Sequence, residues 1–174
     1  MKRTAMISLA LLFCSSFALA DEGRSEHGGK SSAKILGQVT NAAYLKECGA
    51  CHFAFQPQFL PKRSWEKLMG SLDNHFGDSA TLDEATRSGI LDYLVKNSAE
   101  TSSSKMSGKL LASIGKTEAP LRITDTPYFK RKHREVRADV FKRKSIGTPA
   151  NCVSCHVTAE KGDFDEHKVK IPKN

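Results

Sequence analysis

Cysteine is scarce in this chain of 174 residues, and of the five present only Cys14 lies outside two short motifs. The other four, Cys48, Cys51, Cys152 and Cys155, form the pentapeptides CGACH and CVSCH. With no cysteine left over, a disulfide framework would leave the two histidines unexplained. A single zinc site built from both pairs would close a loop of about a hundred residues, far beyond the roughly 15–20 of ribbon-type spacing. The βαβ pattern that accompanies a thioredoxin-like pair is also missing. Long apolar runs are equally rare. One covers about Met6 to Phe17, short of the about 20 residues of a membrane span, and no later segment resembles a span.

That run follows Lys2 and Arg3 and ends at Ala18-Leu19-Ala20 before Asp21, the form of a secretory signal peptide over 1–20. Bulky Phe13 before Cys14 argues against lipid anchoring, and the expected product is an exported, periplasmic chain starting at Asp21. Losing Lys2 and Arg3 reduces the 27 basic residues to 25, against 19 acidic ones. A basic exported protein points to acidic protein partners rather than to nucleic acid.

Composition divides the remainder. Residues 21–34 are polar and Gly/Ser-rich, a flexible lead-in that includes His27. A first domain is expected over 35–97. In it, Thr40 or Asn41 caps a helix carrying Leu45, Cys48, Cys51 and His52 on one side. Ser64 caps a second helix whose stripe Trp65, Leu68, Met69, Leu72, His75 and Phe76 runs to a stop at Gly77. The TLDE sequence at 81–84 has the capping-box form and precedes an apolar face of Leu82, Ile90, Leu91 and Leu94. Residues 98–108 are serine-dense and read as a linker, and 109–174 as a second domain. Only eighteen residues follow His156, so its site is expected to be enclosed largely by residues that precede it.

Cys-x-x-Cys-His is a haem-attachment signature. Two thiols one turn apart add across the two vinyl groups of one porphyrin, and the adjacent histidine reaches the iron. Two motifs predict two haem c groups held by Cys48, Cys51, Cys152 and Cys155, with His52 and His156 as axial ligands. For the sixth ligand of the first iron, His75 on the apolar stripe is favoured over Met69 and Met106. For the second, His133, after the potential pocket walls Tyr128 and Phe129, is favoured over His167 in its charged tail. The run KRKHREVRADVFKRK at 130–144 is either a solvated face or a docking surface for an acidic redox partner.

The stretch ECGACHFAFQPQFLPKRSWEKLMGSLDNHFGDSATLDEATRSGILDYL, with RITDTPYFKRKHREV and NCVSCH, closely resembles the bacterial periplasmic dihaem cytochrome c family over nearly the whole mature chain. The resemblance implies a mainly α protein of two small haem domains, the first class I cytochrome c-like, the second smaller and irregular. It implies bis-histidine coordination, His52 with His75 and His156 with His133. It implies electron transfer, without catalytic residues, between a membrane cytochrome b and a small oxygen-binding monohaem cytochrome c. The alternative is a dihaem enzyme, a peroxidase or reductase, with one open-coordination haem.

Overall fold

The computed structural model describes residues 36–173, so the leader, the lead-in, Cys14 and His27 lie outside the described residues. Asn41 opens helix α1 (Ala42–Glu47) by accepting the Tyr44 N–H at 2.8 Å, supplying an acceptor that the first turn lacks. There follow α2 (Lys62–Met69), α3 (Glu84–Lys96), α4 (Lys105–Ser113), α5 (Pro127–Lys132) and α6 (Ala138–Phe141), joined by 3-10 turns. The architecture is mainly α, as expected, and the described residues contain no strand beyond two isolated bridges, His75 with Asp78 and His156 with Val169. No helix among the described residues is long and apolar enough to cross a membrane.

Two apolar clusters hold these short helices. In the first, Trp65 and Met69 of α2 and Ile90 and Leu94 of α3 pack with Tyr44, Leu60 and Leu72. Each fully buried large side chain contributes about 1.5–3 kcal/mol, and the Trp65 indole satisfies its N–H on the Pro57 carbonyl at 2.8 Å. In the second, Leu36 and Phe59 from before the serine-rich segment join Ala99, Met106, Leu110 and Ile114.

Several local expectations are corrected. Ser64 is not a cap; it is a buried residue within α2, which starts after Pro61. The helix ends at Gly70 rather than Gly77, because Ser71 and a 3-10 turn (Leu72–Asn74) follow, and their polar side chains bond the backbone locally. His75 and Phe76 therefore lie outside the helix. Phe76 leaves the apolar stripe altogether: it is 43% exposed, adopts φ +59°, and lies beneath the Arg122 guanidinium at 3.7 Å. Asp83, not Thr81, caps α3, accepting the Thr86 N–H at 2.9 Å. The segment 98–108, expected as a linker, carries a 3-10 turn (Ala99–Thr101) and the start of α4, with Met106 and Ser107 buried.

The tail after His156 folds back over the second motif. The Lys170 N–H reaches the Cys155 carbonyl at 2.9 Å and Arg143 holds the Pro172 carbonyl at 2.8 Å. Gly162 brings this tail to the start of the described chain, its carbonyl accepting the Leu36 N–H at 2.8 Å. A Cβ at Gly162 would collide with the Gly37 backbone, and its φ of +72° suits glycine.

Candidate haem sites

Cys48 is the C-cap of α1, and Gly49 completes the exit from the helix with its N–H on the Leu45 carbonyl at 3.1 Å. A Cβ at Gly49 would run into that same carbonyl, so the tight turn between the two cysteines needs glycine. Cys51 and His52 thus sit in a turn beyond α1, not on the helix as expected. The His52 Nδ1 lies 2.8 Å from the Phe53 carbonyl. A carbonyl only accepts, so Nδ1 is the donor there and Nε2 is the nitrogen left to face a metal, the arrangement of a metal-ligating imidazole.

His75 reaches this site from the turn after α2. Its backbone is clamped to Asp78, N–H to carbonyl at 2.7 Å and back at 3.3 Å. Its ring lies 6.1 Å from that of His52, centroid to centroid, with the planes 17° apart. Burial, then the neighbouring His52 and Arg122, depress its pKa below the ordinary histidine value against an opposing effect of Asp78. The ring is accordingly neutral near pH 7, the state that donates to a metal.

The second site repeats the arrangement with different supports. Cys152 begins a 3-10 turn (Cys152–Ser154), and the His156 N–H bonds the Cys152 carbonyl at 2.8 Å. His133 is the C-cap of α5, a helix opened by Thr126, whose hydroxyl oxygen accepts the Phe129 N–H at 3.2 Å. Its Nδ1 lies 3.0 Å from the Phe129 carbonyl, again leaving Nε2 to face a metal. The two rings are 6.0 Å apart, with planes 75° apart. Burial lowers the pKa of both histidines. They share a largely apolar cavity of about 410 Å³, lined by Phe59, Met106, Phe129, Phe141, Cys152 and Phe164 among others, a size suited to a cofactor.

These residues fit haem. An imidazole on each side of one metal, with bonds of about 2 Å and half a ring beyond each, separates the centroids by about 6 Å; both pairs meet that requirement. All four motif thiols are free of disulfides. As free thiols, before any attachment, Cys48 is raised by burial to about 11 and Cys152 to about 12. Among the described residues no cluster of three or more His, Cys, Asp or Glu is arranged to hold a bare metal ion.

The rival ligands fall elsewhere. Met69 is buried in the first apolar cluster. Met106 lines the cavity of the second site rather than the first. His167 is exposed in a 3-10 turn (Glu166–Lys168). Tyr128 and Phe129 line the second cavity, as the sequence suggests, but Phe164, Val169 and Ile171 also line it from after the motif. Phe164 contacts both His156 and Phe59, at 5.4 and 4.8 Å between ring centroids. Its setting in a charged tail conceals this contribution.

A family model for dihaem cytochrome c matches residues 44–164, a span that includes both motifs, His75 and His133. The chain belongs to the dihaem cytochrome c family. Two haem c groups are therefore its cofactors, and its family is one of electron-transfer proteins. The chain is similar to the solved diheme cytochrome c from Rhodobacter sphaeroides, at 43% identity over 74% of this chain and 99% of that one, with a TM-score of 0.66. It is also similar to the diheme cytochrome of Shewanella baltica OS155, at 35% identity over 76% and 93% of the respective chains, with a TM-score of 0.62. No curated protein matches it.

Proposed function

We propose that this dihaem cytochrome is a periplasmic electron conduit, exported through its leader and carrying both haems with two histidine ligands each. The carrying observation is the pair of ring separations, 6.1 and 6.0 Å, each joining a motif histidine to a partner from another element. The haems, when bound, supply one-electron Fe(III)/Fe(II) cycling. Cys48 and Cys51 hold the first covalently, Cys152 and Cys155 the second. His52 with His75, and His156 with His133, would supply two imidazoles to each iron, which would leave no coordination site for a substrate and give an electron carrier rather than a catalyst. Carbonyls at Phe53 and Phe129 orient their imidazoles, and the backbone clamp to Asp78 holds His75.

Electrons enter and leave through protein partners. The basic residues Lys130, Arg131, Arg134, Lys142 and Lys144 are exposed on the segment that carries His133, which supports docking of an acidic partner beside the second haem. The family resemblance makes a membrane cytochrome b and a small oxygen-binding monohaem cytochrome c the expected pair. Absorption and low-temperature EPR of the ferric protein test the reading: only low-spin iron is expected. A high-spin component would instead indicate an open iron and an enzyme of the peroxidase or reductase type.

A further inference from the structure

The two histidine pairs have equal separations but different relative orientations. The ring planes of His52 and His75 are 17° apart, and those of His133 and His156 are 75° apart. The crossing at the second site traces to α5. Phe129 and His133 are four apart, one turn of helix, and their rings lie face to face, 4.0 Å between centroids with planes 21° apart. The Phe129 carbonyl meanwhile receives both the backbone N–H and the ring Nδ1 of His133, each at 3.0 Å. These contacts divide the work. The carbonyl fixes which nitrogen points into the cavity, and a tether at one atom still lets the ring swing; the phenyl face stops that swing. The first site has no comparably close aromatic face, since Phe76 lies 4.7 Å from His75 with planes 59° apart.

We propose that Phe129 is a positioning residue that holds the His133 imidazole across that of His156, giving the second haem a ferric signature distinct from the first. The proposal rests on the axial-ligand reading above. An imidazole donates through the π orbital perpendicular to its plane. Near-parallel rings donate into the same iron d orbital and split it from its neighbour; crossed rings donate one into each, leaving the two nearly equal in energy. Axial ligands are among the protein's main means of tuning a haem. The split pair gives a rhombic low-spin EPR signal, and the nearly equal pair gives a strongly anisotropic one with a larger maximum g.

EPR of the oxidised holoprotein is the test, with two haems verified by mass. The wild-type protein is expected to show one rhombic and one strongly anisotropic low-spin signal in equal amounts. Phe129→Leu keeps the carbonyl and removes the ring face, so the anisotropic signal should broaden and move towards rhombic while the other stays unchanged. Phe129→Tyr should restore it. Two rhombic signals in the wild type, or an anisotropic signal unaltered in Phe129→Leu, would overturn the proposal. Should Phe129→Leu yield no holoprotein, Phe129→Met carries the same expectation, and the wild-type spectrum alone already decides whether the rings are crossed. High-spin iron in the wild type would overturn the ligand assignment itself and with it this proposal, an outcome distinct from two rhombic low-spin signals.

Discussion

The side-chain amide of Gln56 donates a 2.7 Å hydrogen bond to the carbonyl of Ala159, 103 positions later in the chain. Gln56 is four residues beyond His52 and Ala159 three beyond His156, and both are buried. One side chain thus ties the two haem-bearing turns together, beside the Phe59–Phe164 ring contact. The Ala159 carbonyl also accepts the Gly162 N–H at 2.8 Å, so losing Gln56 does not orphan it. Gln56→Ala is therefore expected to cost about 2–3 kcal/mol, a net hydrogen bond plus a cavity. A denaturant midpoint of the holoprotein that does not fall would refute the tie.

The partner histidines should be separable. His75→Ala is expected to turn one haem high-spin and leave the other low-spin, and His133→Ala to do the same for the second, with both haems still attached by mass. Loss of low-spin character at both haems from one substitution, or at neither, contradicts the pairing of His75 with His52 and His133 with His156.

Acid should weaken the protein earlier than carboxylates alone would require. In the absence of iron, burial is the main cause lowering the pKa of His75, His133 and His156 in the folded chain. Below the unfolded histidine value of about 6.5 the unfolded chain then binds more protons, so stability is complete above that pH and falls as pH drops through the folded values. Iron ligation acts in the same direction. At lower pH the carboxyls of Asp83, Glu84 and Asp163 add to the loss, each depressed by hydrogen bonding, to the Thr86 N–H, Arg87 and Lys168 respectively. Denaturant midpoints from pH 8 to 5 should be level and then decline, whereas a midpoint that rises on acidification rejects the assignment.

Salt tests the docking face. Steering through Lys130, Arg131, Arg134, Lys142 and Lys144 predicts that electron transfer with an acidic redox partner slows as ionic strength rises, because screening shortens to about 8 Å at 0.15 M. Replacing Lys142 and Lys144 with Glu should slow it at low salt and flatten its salt dependence. A rate indifferent to ionic strength removes the steering role.

Much of this was legible in the sequence. The two pentapeptides announce the cofactor; the apolar spacing makes His75 a candidate ligand and the preceding Tyr128-Phe129 makes His133 one, and each ring lies about 6 Å from that of a motif histidine. Cores at Trp65, Met69, Ile90 and Leu94 follow from helical spacing. Elsewhere local polar bonding breaks a periodicity that continues in the letters. The stripe from Trp65 to Phe76 keeps its spacing across Gly70, yet the Ser71 hydroxyl bonds back to the Lys67 and Leu68 carbonyls and the chain turns, which moves Phe76 to the surface. Serines likewise hid the folded character of 98–108: Ser102 and Ser107 bond each other at 3.0 Å and Ser104 caps α4, so a polar composition coexists with buried Ala99 and Met106. The Gln56–Ala159 and Phe59–Phe164 contacts join positions about a hundred apart, and no local pattern encodes them.

The central claim is that both pentapeptides carry covalently bound haem, and the mass of the purified, denatured protein tests it most directly. The expected mass is that of the polypeptide plus two haems, with the cofactors retained after denaturation. A mass equal to the bare polypeptide, or one haem short, contradicts the account.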